Sequence, residues 1–62
     1  MNIILENRDF TEYVKGWDEN KLHLTEDINE AYNFSSVEHA EMMRIKVQDA
    51  TGNRWRVQII DD

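Results

Sequence analysis

The sequence predicts a small α+β domain, an antiparallel sheet of three or four strands with one main helix packed on one face. Three observations predict it: short alternating apolar runs near both ends, a capping signal ahead of an apolar three-and-four repeat in the middle, and a length of only 62 residues. A chain this short buries only about 60% of its unfolded surface, so residues 1–62 are expected to form a single domain with one small core. There is no cysteine, which excludes disulfides and a thiolate zinc site. Packing must therefore hold the core, and a composition 40% hydrophobic with two each of Trp, Tyr and Phe supplies the anchors.

Asn2 to Glu6 is a short apolar run with β-branched content, followed by the turn-forming Asn7-Arg8-Asp9 and then by Phe10, Tyr13 and Val14. That pattern predicts a hairpin. Trp17-Asp18-Glu19-Asn20 is a second turn-like cluster, and Leu22-His23-Leu24 alternates as a half-buried third strand does. The first 25 residues thus read as an antiparallel meander. Asp27-Ile28-Asn29-Glu30 has the form of a capping box and predicts a single helical turn, after which Tyr32-Asn33-Phe34 returns to extended chain.

Ser35-Ser36-Val37-Glu38 repeats the box, with Ser35 as the expected cap of the main helix. Val37, Ala40, Met43, Val47 and Ala50 recur at spacings of three and four, and Gly52 stands where a left-handed C-cap residue belongs. Glu38 and Glu41 precede Arg44 and Lys46, the order that the helix dipole favours. Ile45 and Val47 also alternate, so Ala50-Thr51-Gly52-Asn53 can alternatively turn a hairpin. Cap, periodicity, charge order and glycine together favour the longer helix. Trp55, Val57 and Ile59 alternate with Arg54, Arg56 and Gln58 and predict a closing strand.

No catalytic constellation is legible. His23 and His39 have no Cys, Gly-rich phosphate loop or Ser/His/Asp spacing beside them, and a paired-carboxylate mechanism needs a cleft that 62 residues scarcely make. The chain reads as a non-enzyme without cofactor or metal; Asp18, Glu19 and Asn20 lack the ligand alternation of a calcium loop. Phe10, Tyr32, Phe34 and Trp55 are expected in the core, Met42 and Met43 as gap fillers, and Trp17 either folded back or displayed as a contact. The longest apolar run, Ile3-Ile4-Leu5, is far shorter than the roughly 18 residues that span a bilayer, and the expected compartment is the cytoplasm.

Charge is the informative feature. Thirteen acidic and seven basic residues give a net charge of −6, and residues 1–41 hold ten of the acids with only three of the bases. Asp27 and Glu30, and again Glu38 and Glu41, are three apart in segments expected to be helical, a spacing that sets neighbours on one face roughly 5 to 6 Å apart. The bland reading is a solvated face. Residues 22–41 contain no lysine to intersperse the acids, however, which favours an acidic binding surface made of Asp18, Glu19, Glu26, Asp27, Glu30, Glu38 and Glu41. Such a surface is repelled by nucleic-acid phosphates and by anionic membranes, and its natural partner is a basic protein surface.

The stretch Thr25-Glu26-Asp27-Ile28-Asn29-Glu30-Ala31-Tyr32-Asn33-Phe34-Ser35-Ser36-Val37-Glu38-His39-Ala40-Glu41, flanked by extended segments, resembles a pattern common in tiny phage and prophage proteins. In that pattern an Asp opens a short turn, an Ala and a Phe pack inward, a Ser caps the helix and Glu-x-Ala begins it. In size, charge and lack of catalytic motifs the chain is similar to anti-CRISPR proteins that act as DNA mimics. The resemblance implies a fold and a phage origin rather than an activity; with the acidic surface it leads to the expectation of a phage-encoded inhibitor, a monomer, that blocks target-DNA or PAM binding by a host defence complex such as a CRISPR effector. The alternative is a non-catalytic interaction module with Trp17 as anchor on an apolar or edge-strand surface. A third reading takes Arg44, Lys46, Arg54, Trp55 and Arg56 as a nucleic-acid contact, against the field of the whole molecule.

Overall fold

The alternating runs near the two ends of the chain pair with each other. In the computed structural model, which describes residues 1–61, β1 (Asn2–Asn7) lies antiparallel to β4 (Trp55–Ile60), in register from Asn2 opposite Ile60 to Asn7 opposite Trp55. β2 (Tyr13–Asp18) and β3 (Lys21–Thr25) form a second antiparallel ladder, and the strand order is β3-β2-β1-β4. The helix α1 (Val37–Thr51) lies on one face, where Ala40 and Val47 join Ile3, Leu5, Val14, Phe34 and Trp55 in one buried cluster. The expected class, α+β with one main helix on an antiparallel sheet, is the observed one.

The two ladders barely touch. Among the described residues the registered pair between β1 and β2 is Glu6 with Tyr13, supplemented by the Asn7 N–H donating to Glu12 C=O at 2.9 Å. Away from the β1–β2 loop the strands part, and residues 32–34 fill the opening. The Tyr32 N–H donates to Val14 C=O and the Phe34 N–H to Ile3 C=O, both at 2.8 Å, while the Ile3 N–H donates to Asn33 Oδ1 at 2.9 Å. Backbone groups that the splayed strands leave unpaired are thereby satisfied. The chain reaches this gap from the face away from α1, because Ile28 and Ala31 flank a hollow beside Ile4 and Ile60. It leaves on the helix face, where Phe34 enters the core.

The β1–β2 loop is organised by a buried asparagine. Asn7 Oδ1 accepts the N–H groups of Asp9 and Phe10, and its Nδ2 donates to Glu12 Oε1. This turn holds Phe10 outward at 64% exposure, contrary to its expected place in the core.

The helix runs to Thr51, so residues 45–50 are helical rather than strand. Its cap is Ser36, not Ser35: the Ser36 hydroxyl accepts the His39 N–H at 3.1 Å. Phe34 is pinned to β1 by its own N–H, and the chain stays extended through Ser36 (φ −156°, ψ 161°) before it turns. The position three beyond this cap is His39, so the box expected between Ser35 and Glu38 does not form. The inward stripe is Ala40, Met43, Val47 and Thr51, whereas Val37, Met42 and Ala50 face solvent. A 3.6-residue repeat carries the line of Ala40 and Val47 on to Thr51 rather than Ala50. Gly52, at φ 74°, ends the helix as expected, its N–H donating to Gln48 C=O.

Thr51 joins the helix to β4. Its hydroxyl donates to Val47 C=O at 2.8 Å and accepts from Trp55 Nε1 at 2.9 Å and from the Asn53 N–H at 3.2 Å. Thr51→Val leaves the buried indole N–H without its acceptor and is expected to cost about 1–3 kcal/mol in chemical denaturation. Ser36→Ala is expected to cost about 1 kcal/mol in the same measurement, while Ser35→Ala leaves stability unchanged, which locates the cap.

Candidate functional site

A bulge in β2 builds the most distinctive surface. Val14 pairs with Leu24 and Gly16 with His23, so Lys15 is one residue more than the partner strand supplies. In an unbroken strand Trp17 would alternate onto the face opposite Val14. The extra residue restores it to the helix face, opposite Leu22. Gly16 sits at φ 146°, a conformation that L side chains rarely adopt, while a Cβ there would meet Tyr32 Cδ2 at an ordinary 3.7 Å. Backbone conformation, not space, therefore demands the glycine.

The redirected indole completes a chain of rings. Trp17 lies 6.3 Å from the ring centres of both Tyr32 and Phe34, nearly perpendicular to each. Tyr32 and Phe34 are 4.8 Å apart, and Phe34 meets the His39 ring edge-on at 5.6 Å. Such edge contacts add about 0.5–1.5 kcal/mol per pair beyond burial. Phe34 is buried and fixes the group, whereas Trp17 and Tyr32 keep 38% and 42% of their surface in solvent. Trp17 is thus both folded back and displayed. Tyr32, expected in the core, is half outside because its N–H serves the gap between β1 and β2.

Next to Trp17 the β2–β3 turn presents Asp18 and Glu19. Glu19 and Asn20 both have positive φ, 50° and 67°, the conformation of a two-residue hairpin turn for which Asn-Gly is preferred. A glutamate in the left-handed region is held there against a steric cost of roughly 1–2 kcal/mol. Glu19→Gly is expected to raise unfolding free energy by up to about 1 kcal/mol, read by chemical denaturation, because glycine relieves that cost at some expense in chain entropy.

All seven candidate carboxylates are exposed, but they do not form one row. Asp18 and Glu19 sit at the β2–β3 turn, and Glu26 and Asp27 follow the opposite end of β3. Residues 28–30 form a 3-10 turn, not an α-helix, on the face away from α1; Asp27 caps it by accepting the Asn29 N–H, and Glu30 accepts from Thr25 Oγ1 and lies 3.8 Å from Lys15 Nζ. Glu38 and Glu41 are on α1, across the sheet, with Glu41 paired to Arg44. The extended segment 32–36 separates the two groups. Among the described residues, no ion pair engages Asp18, Glu19 or Glu38; Asp18 and Glu19 follow Trp17 in the chain and Glu38 precedes His39.

The basic cluster offers no platform for bases. Trp55 is buried, and Arg54 and Arg56 are paired with Asp9 and Glu6. His23 lies opposite Gly16 on the far face and His39 on the helix face, and no group of three metal-ligating side chains occurs among the described residues. No described helix is long and apolar enough to cross a membrane. No family model matches this sequence, and no curated protein or solved structure is significantly similar to it.

Proposed function

We propose that this is a non-catalytic binding protein whose partner is a basic protein surface, engaged by Trp17 and Tyr32 and framed by Asp18, Glu19 and Glu38. The observation that carries the reading is the bulge at Gly16, which turns a large indole onto a rigid aromatic group and leaves it half exposed at the strand end that leads into the turn carboxylates Asp18 and Glu19. Trp and Tyr dominate binding energy when a partner desolvates them, and a partner arginine or lysine gains both a ring face and an anion there. The surplus of negative charge accelerates encounter with such a surface.

A more specific form of the reading makes that basic surface the DNA-binding groove of a host defence complex, with the protein as a phage-encoded DNA mimic of the anti-CRISPR kind. Seven exposed carboxylates spread over both faces of the sheet favour it, since a groove that encloses duplex DNA contacts more than one side of its occupant.

The test is capture from a bacterial lysate on the immobilised protein, followed by titration of the captured partner against variants. Trp17→Ala, and separately Asp18 and Glu19 reversed to lysine, are expected to weaken binding at least tenfold. Reversal of Glu26 and Asp27 is expected to change it little if the aromatic surface alone binds, and to weaken it comparably if the whole acidic surface mimics DNA. Unchanged binding by the Trp17 and Asp18/Glu19 variants would refute the proposed surface.

A further inference from the structure

We propose that β4 is a self-association edge at which two copies of this chain pair antiparallel, against the monomer expected from the sequence. The phase of the β1–β4 ladder identifies the free groups. The Arg8 N–H donates to Arg54 C=O at 2.8 Å, so in the shared register Arg54, Arg56, Gln58 and Ile60 turn their backbone groups toward β1. Trp55, Val57 and Ile59 consequently aim theirs away from the sheet. The first of these is already covered, because the Trp55 N–H donates to Gln48 Oε1 at 3.1 Å. Among the described residues, no partner engages the outward N–H and C=O of Val57 and Ile59, and no strand flanks β4 on that side.

The two edges of the sheet differ in how they are guarded. β3 is short, opens with Lys21 and runs beside the β2 bulge, features that discourage strand addition. β4 keeps an unbroken register over six residues, contains neither proline nor lysine, and leaves the Ile59 side chain 48% exposed on the helix face. Its ends are also complementary to each other: Arg54 and Arg56 precede or open the strand and Asp61 follows it. Antiparallel pairing brings the basic end of one copy to the acidic end of the other, whereas parallel pairing would juxtapose like charges. Arg54 and Arg56 lie on the face away from α1, where they contact Asp9 and Glu6, so the complementarity orients the two strands rather than adding a direct ion pair.

One register satisfies these groups together. With Gln58 opposite its own copy, the N–H and C=O of Val57 meet the C=O and N–H of the other copy's Ile59, and the exposed Ile59 side chain packs across the seam on Val57. This edge lies at the far side of the sheet order from β3, so pairing leaves the Trp17 surface open and is independent of the proposed partner.

Sedimentation velocity and amide hydrogen exchange on the intact chain, from micromolar to millimolar concentration, test the proposal. Dimer formation is expected to be accompanied by slowed exchange at the Val57 and Ile59 amides, and Ile59→Lys is expected to raise the dissociation constant at least tenfold. Added salt is expected to strengthen the dimer by screening two copies of net charge −6, opposite to its effect on an acid-driven partner complex. A monomer throughout, or a dimer whose Val57 and Ile59 amides stay unprotected, overturns the proposal. The exchange measurement needs no variant, so it decides even if Ile59→Lys fails to fold.

Discussion

Three hydrogen bonds made by residues 32–34 between β1 and β2 hold the architecture together. Without them the sheet would be two ladders joined at a single pair, with backbone groups of Ile3 and Val14 desolvated and unmatched. The wedge also carries the chain from one face of the sheet to the other. It sets Phe34 into the core, fixes the extended approach to Ser36, and so determines where α1 begins. Helix position, core composition and the exposure of Tyr32 all follow from one short crossing.

The aromatic surface depends on the same crossing together with the bulge in β2. Gly16 moves Trp17 to the helix face, and the wedge brings Tyr32 and Phe34 to meet it there. Neither feature alone makes a displayed ring: an unbulged strand sends the indole away, and an unfilled gap gives it nothing to lean on. A small core with few anchors still diverts two aromatics from full burial, at a cost in buried apolar area.

Features encoded by local periodicity were legible in the sequence. The four alternating or apolar segments, the helix through Thr51 and the left-handed Gly52 need only the pleat, the 3.6-residue repeat and the absence of a Cβ. Features set by contacts distant in sequence were not. Ser35 and Ser36 are equivalent locally, and only the tether from Phe34 to Ile3 selects the second. Phe10 and Tyr32 look like core residues until Asn7 and the wedge claim their backbones. Of the candidate site, Asp18, Glu19 and Trp17 were singled out, and the single turn at 28–30 and the extended chain after it are as expected. Not legible was that this turn and α1 lie on opposite faces of the sheet, which parts Asp27 and Glu30 from Glu38 and Glu41. Gly16 inside an otherwise β-rich run was the available sign of the bulge.

The pairing of β1 with β4 also bears on how the chain comes into being. Its registered partners lie some fifty residues apart, so the central strand of the sheet is synthesised first and one of its two neighbours last. Until β4 leaves the ribosome, Ile3 and Leu5 have no ladder on that side and no settled helix above them. Folding is then a late event dominated by closure of one large loop, which slows it relative to a helical bundle of equal length.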